Sequence, residues 1–459
     1  MTDKIFLEPT DWVQMNPEDL FSQEQRALEA IQLGAAQTRL IELREKIPAL
    51  SRLAKQQNIS DLENLNELAA LLFTHEVYKG YPMALLEKGK FARLTRWLDK
   101  LTTHDLSGLD VSKVKTIDTW LELLDEAGMF IFHSTGTTGK LSFFPRSQTE
   151  KNAWVEGNWA FMESMIPGIR ELKLPVFWPA FRDGRQAGMR LIGHFGPLLA
   201  GGEAEYHSLF DSPMSADLMS IAGRLRRAQE AGDLKALDTL KAIIQTKGEI
   251  VRLKTQRGKM TKEFFEKMMA GYKGQRVFLM ASATDLLDIA QEGLASGVSQ
   301  IFAPDSVFLT GGGFKGREEI DGWQDILREF YGVDQIHMTY GMTELNSYNP
   351  GCKAGRYHVL PWNIVFVLDD EGKPLPRRGV QTGRAGYFDL LAETYWGGIL
   401  TGDRVTVHFD DDCACGWKGP YIEPNVMRMT EYLGGEDIIS CAGVQAAHDE
   451  MLDFSKLSI

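Results

Sequence analysis

The sequence predicts an α/β fold: a large body built on a central sheet, followed by a smaller β-rich subdomain. Its 459 residues, 44% hydrophobic and 25% charged, suit a globular protein with a sizeable core. Between residues 277 and 340, apolar strand-like runs alternate with glycine turns and helical stretches, which is typical of α/β proteins. After residue 360, short strand-like runs lie between Gly, Pro and Asp turns, which favours a β-rich subdomain.

The N-terminal quarter predicts helices. Residues 23–100 are rich in Leu, Ala, Glu and Lys, with apolar positions spaced by three and four, and Pro48 and Pro82 mark the breaks. A further helix over 117–127 leads into the apolar run 129–132, which we predict to be a buried strand.

The same sequence patterns predict the strands and helices in the middle and at the end of the chain. We predict strands at 176–178, 277–280, 307–310, 337–340, 364–368, 386–391 and 405–409. We predict helices at 215–232, 234–246, 262–272, 284–292 and 318–330. The predicted division is an N-terminal helical segment (1–110), an α/β core (111–359), the β-rich subdomain (360–435) and a short C-terminal stub (436–459).

Charge and cysteine content narrow the function classes. The 50 Lys and Arg residues against 63 Asp and Glu give a net charge of −13, which argues against nucleic-acid binding. No apolar run is long enough to span a bilayer, and the N-terminus lacks the pattern of a signal peptide. Four cysteines are too few for a disulfide scaffold, so we expect a cytoplasmic protein without a membrane partner.

A loop of small residues follows the predicted strand at 129–132. It consists of Ser134, Thr135, Gly136, Thr137, Thr138, Gly139 and Lys140. Its N–H groups, hydroxyls and lysine would suit a phosphate. It is not a Walker A loop, because Ser134 replaces the first glycine and Leu141 follows the lysine. The alternative is a solvated turn.

Two further motifs are weak when taken alone. Thr339-Tyr340-Gly341-Met342-Thr343-Glu344 ends a predicted strand, and its polar residues could simply cap a helix. Thr401-Gly402-Asp403 could be an ordinary turn.

In this order, the three motifs resemble those of the adenylate-forming (ANL) superfamily, over roughly residues 25–440. The helical N-terminal segment with Leu72-Phe73-Thr74-His75 and the late Cys-x-Cys-Gly are most similar to the phenylacetate–CoA ligase and LuxE-type acyl-protein synthetase branches. Leu141 where the ligases have proline favours the synthetases.

The resemblance implies that a carboxylic acid attacks the α-phosphorus of ATP to form an acyl-adenylate, and that a thiol then takes the acyl group. The acceptor would be CoA, a carrier protein or a protein cysteine. The loop with Lys140 would bind pyrophosphate, Thr343 the α-phosphate and Glu344 Mg²⁺, whereas Asp403 would bind the ribose. The remaining nucleotide contacts implied are Gly311, Gly312, Gly313, Tyr340, Gly341 and Met342.

The four cysteines separate into a group and a single residue. Cys352, His358, Cys413 and Cys415 are the ligand types of a structural zinc site, in two short-spaced pairs. The alternative is coincidence among unrelated residues. Cys441 lies where LuxE-type synthetases carry an acyl-accepting cysteine, although most free cysteines are ordinary buried residues.

Two departures from the family pattern keep a second function open. Gly435 stands where the family has a ribose-binding arginine, for which Arg428 is a nearby substitute. The chain also ends soon after the hinge, so we expect the mobile C-terminal domain with its catalytic lysine to be absent or truncated. The alternative is therefore a non-catalytic nucleotide-binding subunit, or a half-enzyme whose lysine comes from a partner in trans.

Overall fold

A computed structural model of the chain describes residues 9–15, 19–74, 76–135, 140–246, 248–314 and 319–434. The chain divides into two compact units. The first contains residues 1–132, 142–165 and 342–459, and the second contains residues 133–141 and 166–341.

The first unit combines the N-terminal helices with the C-terminal strands. Its helices are α1 (Pro9–Trp12), α2 (Gln25–Lys46), α3 (Pro48–Gln56), α4 (Met83–Glu87), α5 (Phe91–Leu98), α6 (Ile117–Glu126) and α7 (Gln148–Met165), with 3-10 turns at Leu65–Leu71 and Val77–Lys79. Its strands up to α7 are β1 (Phe73–Thr74), β2 (Phe130–His133, whose last residue belongs to the second unit) and β3 (Phe143–Arg146). Thr116 begins α6 by accepting a hydrogen bond from the N–H of Thr119, which satisfies one of the open donors at the helix start.

The strands of this unit that follow residue 350 form an antiparallel sheet. After residue 342 the elements are β9 (Asn349–Pro350), β10 (Tyr357–His358), β11 (Asn363–Leu368), β12 (Val380–Asp389), β13 (Gly398–His408), β14 (Tyr421–Ile422), β15 (Met427–Arg428) and the helix numbered α15 in chain order (Met429–Tyr432). The sheet order is β10-β14-β13-β12-β11, and β1 and β15 also pair with β13. Strand β13 is therefore the common partner that brings β1 and β15 into the sheet.

The second unit is a parallel sheet with helices. Its elements are α8 (Ile169–Leu172), β4 (Val176–Gly184), α9 (Ala187–Ala200), β5 (Tyr206–Met214), α10 (Ala216–Glu230), α11 (Leu234–Thr246), α12 (Gly248–Glu266), β6 (Phe278–Ser282), α13 (Ala283–Ala295), β7 (Val307–Gly311), α14 (Trp323–Tyr331) and β8 (Ile336–Tyr340). The strands pair in parallel in the order β5-β4-β6-β7-β8. Buried apolar residues such as Phe177, Leu279 and Phe330 form the core of this unit.

The α/β fold class and the β-rich C-terminal region predicted from the sequence are confirmed. The largest difference in element bounds is α12, which begins at Gly248, whereas the apolar pattern predicted a helix from 262. Its first turns are rich in charged residues, so periodicity gave no sign of them. Among the residues described, none of the helices is both long enough and apolar enough to cross a membrane.

The two units mix the predicted segments. The β1 residues Phe73 and Thr74 pair with Ile399 and Leu400 of β13, so a strand from the N-terminal segment enters the C-terminal sheet. The predicted division at 110, 359 and 435 stays a prediction.

Candidate functional site

Two carboxyl groups from separate motifs lie within electrostatic range of each other in the first unit. Glu344, from the Thr-Glu motif, is half-buried, and Asp403, on β13, is 6% exposed. Burial raises the pKa of Glu344, and the Asp403 carboxylate raises it further. The two motifs that the sequence could link only by resemblance therefore meet around one pair of carboxyl groups.

Two cations partly balance this pair. The guanidinium Nη1 of Arg428 lies 2.7 Å from Oδ1 of Asp403, because Asp403 and Arg428 are register partners on β13 and β15. Lys79, which belongs to none of the sequence motifs, lowers the pKa of Glu344, as does Arg428. The described part of this site thus has two acidic and two basic groups.

The backbone around Asp403 is fixed by its own motif. The Thr401 hydroxyl donates to the carbonyl of Ala385 (2.8 Å) and accepts from the N–H of Asp403 (3.1 Å). Arg384 donates to the carbonyl of Thr401 at 3.1 Å. The Thr-Gly-Asp motif thus lies within strand β13 rather than in an ordinary turn, and its threonine orients the aspartate.

The Ser/Thr/Gly loop belongs to the second unit. Ser134 is half-buried, Thr135 is exposed and Lys140 is half-buried, whereas Gly136, Thr137, Thr138 and Gly139 lie outside the described residues. The ring Nδ1 of His133 is 2.9 Å from the carbonyl oxygen of Ser134. The N–H of His133 donates to the carbonyl of Arg185, which attaches the start of the loop to the residues before α9.

The glycine motif of the second unit has a packing role. A Cβ on Gly311 would lie 2.5 Å from the Thr339 hydroxyl and 2.6 Å from the Thr339 carbonyl oxygen, on neighbouring strand β8. Gly312 and Gly313 have φ angles of +83° and +57°, which favour glycine. Tyr340 is half-buried at the end of β8, and Gly341 follows it.

The predicted zinc ligands come together in the first unit. Single donor atoms of Cys352, His358, Cys413 and Cys415 all lie within 4.8 Å of one another. Sγ of Cys352 and Sγ of Cys413 are 3.8 Å apart, and Sγ of Cys415 is 3.4 Å from Nε2 of His358. A disulfide would require about 2.05 Å between sulfurs.

Local turns build this Cys₃His cluster. The N–H of Gly355 donates to the carbonyl of Cys352, and that of Gly416 donates to the carbonyl of Cys413. Gly355 and Gly416 have φ angles of +73° and +89°, which side chains rarely adopt. The second cysteine of the Cys-x-Cys-Gly motif, Cys415, also accepts a hydrogen bond from the N–H of Trp417 at 3.3 Å.

Aromatic residues cover the cluster. The Phe21 ring stacks on Trp417 with centroids 4.4 Å apart, and both rings contact His358 edge-on. The N–H of Lys418 donates to the carbonyl of Phe21 at 2.7 Å, so the segment before α2 is held against the cluster. No sequence pattern indicated the contact between Phe21 and Trp417, because the two residues lie at opposite ends of the chain.

Burial controls the protonation of the ligands. It lowers the pKa of His358 to about 4, so the imidazole is neutral near pH 7, the form that binds metals. Burial also raises the pKa of Cys415 to about 12, and the neighbouring thiols Cys413 and Cys352 add to this. A dication is the kind of group that would stabilise the thiolates of such a cluster.

Cys441 and Gly435 lie outside the described residues.

No family model and no curated protein matches this chain. It is similar in structure to an open conformation of 2-hydroxyisobutyryl-CoA ligase in complex with 2-HIB-AMP and CoA, at 15% identity over 93% of this chain and 75% of that one, with a TM-score of 0.49.

Two further similarities cover less of each chain. ATP-bound MatB from Rhodopseudomonas palustris is 16% identical over 65% of this chain and 47% of that one, with a TM-score of 0.30. An adenylation domain of a keto acid-selecting NRPS module, bound to keto acyl adenylate, is 12% identical over 65% and 50%, with a TM-score of 0.33.

Proposed function

We propose that this chain is an adenylate-forming ligase that activates a carboxylic acid with ATP. A carboxylate oxygen of the acid attacks the α-phosphorus, the bond to the β-phosphate oxygen breaks, and pyrophosphate leaves. A thiolate sulfur then attacks the acyl carbonyl carbon, and AMP leaves. The observation that carries this proposal is the electrostatic interaction between the carboxyl groups of Glu344 and Asp403, which come from two separate motifs of the resemblance.

The two carboxylates suit different tasks. Asp403 is a double acceptor that Arg428 and its own backbone hold in place, and we assign it to the ribose hydroxyls, with Arg428 beside it. Glu344 offers the hard oxygen that Mg²⁺ prefers. Its raised pKa fits this role, because burial and Asp403 both disfavour the free carboxylate and a cation would stabilise it.

Mg²⁺ bound at Glu344 would neutralise the phosphates of ATP during attack. Thr343, next to Glu344, has a hydroxyl that we assign to the α-phosphate. In the second unit we assign Lys140 and the hydroxyls of the Ser/Thr/Gly loop to pyrophosphate, because developing negative charge is stabilised by such donors. The nucleotide base would contact Tyr340, Gly341, Met342 and the Gly311-Gly312-Gly313 turn.

We further propose that the Cys₃His cluster holds a structural Zn²⁺. Tetrahedral zinc separates two thiolate sulfurs by about 3.8 Å, and a sulfur and a nitrogen by about 3.5 Å. The separations of 3.8 Å and 3.4 Å match these edges. Four protein ligands fill such a site, so its role is to hold β10 and the 413–417 turn together rather than to bind substrate.

The acyl acceptor is the least constrained part of the proposal. A thiol of CoA, of a carrier protein or of Cys441 would each complete the reaction, and a partner protein could supply the lysine for the second step. We propose that the chain belongs to the phenylacetate–CoA ligase and LuxE-type branches of the superfamily. Their support here is the Cys₃His cluster and the Phe73-Thr74 strand.

The test is carboxylate-dependent exchange of labelled pyrophosphate into ATP, over a panel of aliphatic, hydroxy and aryl acids. We expect exchange with at least one acid and no exchange without acid. If the protein binds ATP but no acid supports exchange, the alternative of a non-catalytic nucleotide-binding subunit replaces this proposal. Intact-mass analysis after exchange then reports whether Cys441 becomes acylated, with Cys441→Ala as the control.

A further inference from the structure

Four consecutive carbonyl groups around Glu344 accept hydrogen bonds from buried side chains. The carbonyls of Thr343 and Leu345 accept from Nη2 of Arg146, at 3.0 Å and 3.2 Å. The carbonyl of Glu344 accepts from the Tyr395 hydroxyl at 2.7 Å. The next carbonyl in the run, that of Asn346, accepts from Nδ2 of Asn158 at 2.9 Å. The main chain of 343–346 is thus fixed residue by residue.

Arg146 is the centre of this arrangement. It is fully buried, and its Nε donates to Oδ1 of Asn346 at 2.5 Å. The ring of Phe132 lies 4.0 Å from its guanidinium carbon. Its hydrogen bonds to described residues all end on oxygen atoms of neutral groups, and its buried Nη1 has no hydrogen-bond partner among those residues.

A second chain of contacts supports the same segment from β12. Oδ2 of Asp389 accepts from the N–H of Asn346 at 2.6 Å and from its side-chain nitrogen at 3.1 Å. Arg146, Asn346 and Asp389 are therefore linked through one amide side chain. Through these hydrogen bonds, the charges of a buried cation and a buried carboxylate balance each other across the segment that carries Glu344.

Burying a guanidinium without a direct carboxylate partner is costly, since the cation loses its hydration. A merely structural anchor for four carbonyls could be built from neutral donors such as the Tyr395 hydroxyl and the Asn158 amide. Residues that break a local rule of stability are concentrated at functional sites. The guanidinium fork does what a neutral donor cannot, because it spans two alternate carbonyls and a side-chain oxygen at once.

We propose that Arg146 is a positioning residue for Glu344, holding the main chain of 343–346 so that the Glu344 carboxylate is preset for the cation of Mg·ATP. This inference rests on the proposed function. Arg146 acts through the backbone and has no assigned contact with substrate.

The test is Arg146→Met, with Arg146→Lys as the conservative variant and Arg377→Met as the matched control. Arg377 is also buried (6% exposed) and bonds Glu29 at 3.1 Å, but none of its contacts involves residues 343–346. Binding of Mn²⁺ with a non-hydrolysable ATP analogue is measured by electron paramagnetic resonance. Hydrogen exchange of the peptide containing 343–346 is measured without ligand.

We expect Arg146→Met to raise the Mn²⁺ dissociation constant by about 10-fold to 100-fold, the usual effect of removing a group that orients a metal ligand. The exchange kcat should fall by a similar factor, while the KM for the acid stays unchanged. Backbone hydrogen exchange should accelerate at 343–346. For Arg146→Lys, the Mn²⁺ dissociation constant and the exchange kcat should lie between those of the wild-type protein and of Arg146→Met. Arg377→Met should reduce the stability of the protein without changing its Mn²⁺ affinity.

Unchanged Mn²⁺ affinity in folded Arg146→Met, with an active wild-type protein, would overturn the positioning role and leave the proposed function intact. A wild-type protein without exchange or Mn²⁺·nucleotide binding would instead remove the proposed function itself. If neither Arg146 variant folds, the wild-type protein decides: rapid hydrogen exchange at the Asn346 amide would contradict the fixed segment, and strong protection supports it.

Discussion

The Cys₃His cluster and the Glu344 segment lie in the same unit, yet they are built in opposite ways. The cluster takes its four residues from two short stretches, and glycine turns within those stretches position the cysteines. The Glu344 segment is held by side chains far away in the chain, such as Arg146, which is 200 residues from Asn346. A site with local supports can be inferred from spacing, whereas one with distant supports needs the topology.

The largest effect should come from Glu344→Gln, which keeps the shape of the side chain and removes the charge. We expect pyrophosphate exchange to fall by more than about 100-fold, because an amide is a much weaker ligand for Mg²⁺ than a carboxylate. Zinc content and melting temperature should remain as in the wild-type protein. Near-normal exchange in this variant would mean that Glu344 is not the magnesium ligand.

Cys413→Ser should affect the Cys₃His cluster rather than the Glu344 segment. Metal analysis should find about one zinc per wild-type chain and almost none in the variant. Loss of a bound metal is among the few single changes that cost about 4 kcal/mol or more. The emission of Trp417, which touches the cluster, should change as well.

The matched control is Cys441→Ser, which removes a thiol outside the cluster and should leave the zinc content unchanged. Cys413→Ser protein kept well below its melting temperature should still catalyse exchange. If exchange disappears although the fold persists, the cluster is not purely structural.

Glu150→Gln tests whether a buried carboxyl group near Arg146 is protonated in the folded protein. Burial raises the pKa of this carboxyl to about 8, whereas an unfolded chain has the ordinary value near 4.5. The folded protein therefore retains a proton that the unfolded chain releases, so this group makes stability fall as pH rises from about 4.5 to 8. Glu150→Gln should flatten that decline in urea-unfolding free energy. An unchanged slope between pH 5 and 8 would contradict the buried, protonated state.

The smallest effect should come from Tyr395→Phe, which removes one hydrogen bond to the carbonyl of Glu344. Tyr331→Phe is the matched control, since its hydroxyl donates to the carbonyl of Leu286 at 3.2 Å and the residue is equally buried. Each change should reduce stability by about 1 kcal/mol. Only Tyr395→Phe should also lower exchange severalfold, and equal exchange in both variants would argue against the carbonyl supports.

The sequence predicted the α/β class, most elements and the grouping of Cys352, His358, Cys413 and Cys415, because these depend on periodicity and short spacing. It could not predict that β1 joins β13, since Phe73 and Thr74 form a very short strand. Lys79 and Arg146 were missed for a related reason: neither belongs to a motif, and each gains its role only from residues brought close by folding. The register of β13 and β15 places Arg428 opposite Asp403, and the role of Arg428 as a substitute for the ribose-binding arginine stays a prediction.

The close packing of Gly311 affects how conservation at this position in related sequences should be interpreted. A methyl group at this position would collide with Thr339 on the adjacent strand, whether or not a nucleotide is bound. An unvarying glycine in that alignment column would therefore be evidence about strand packing, and it would remain unvarying in descendants that had lost catalysis. Conservation of Glu344 and Asp403 would be more informative about function, because packing alone does not require two acidic residues within electrostatic range of each other.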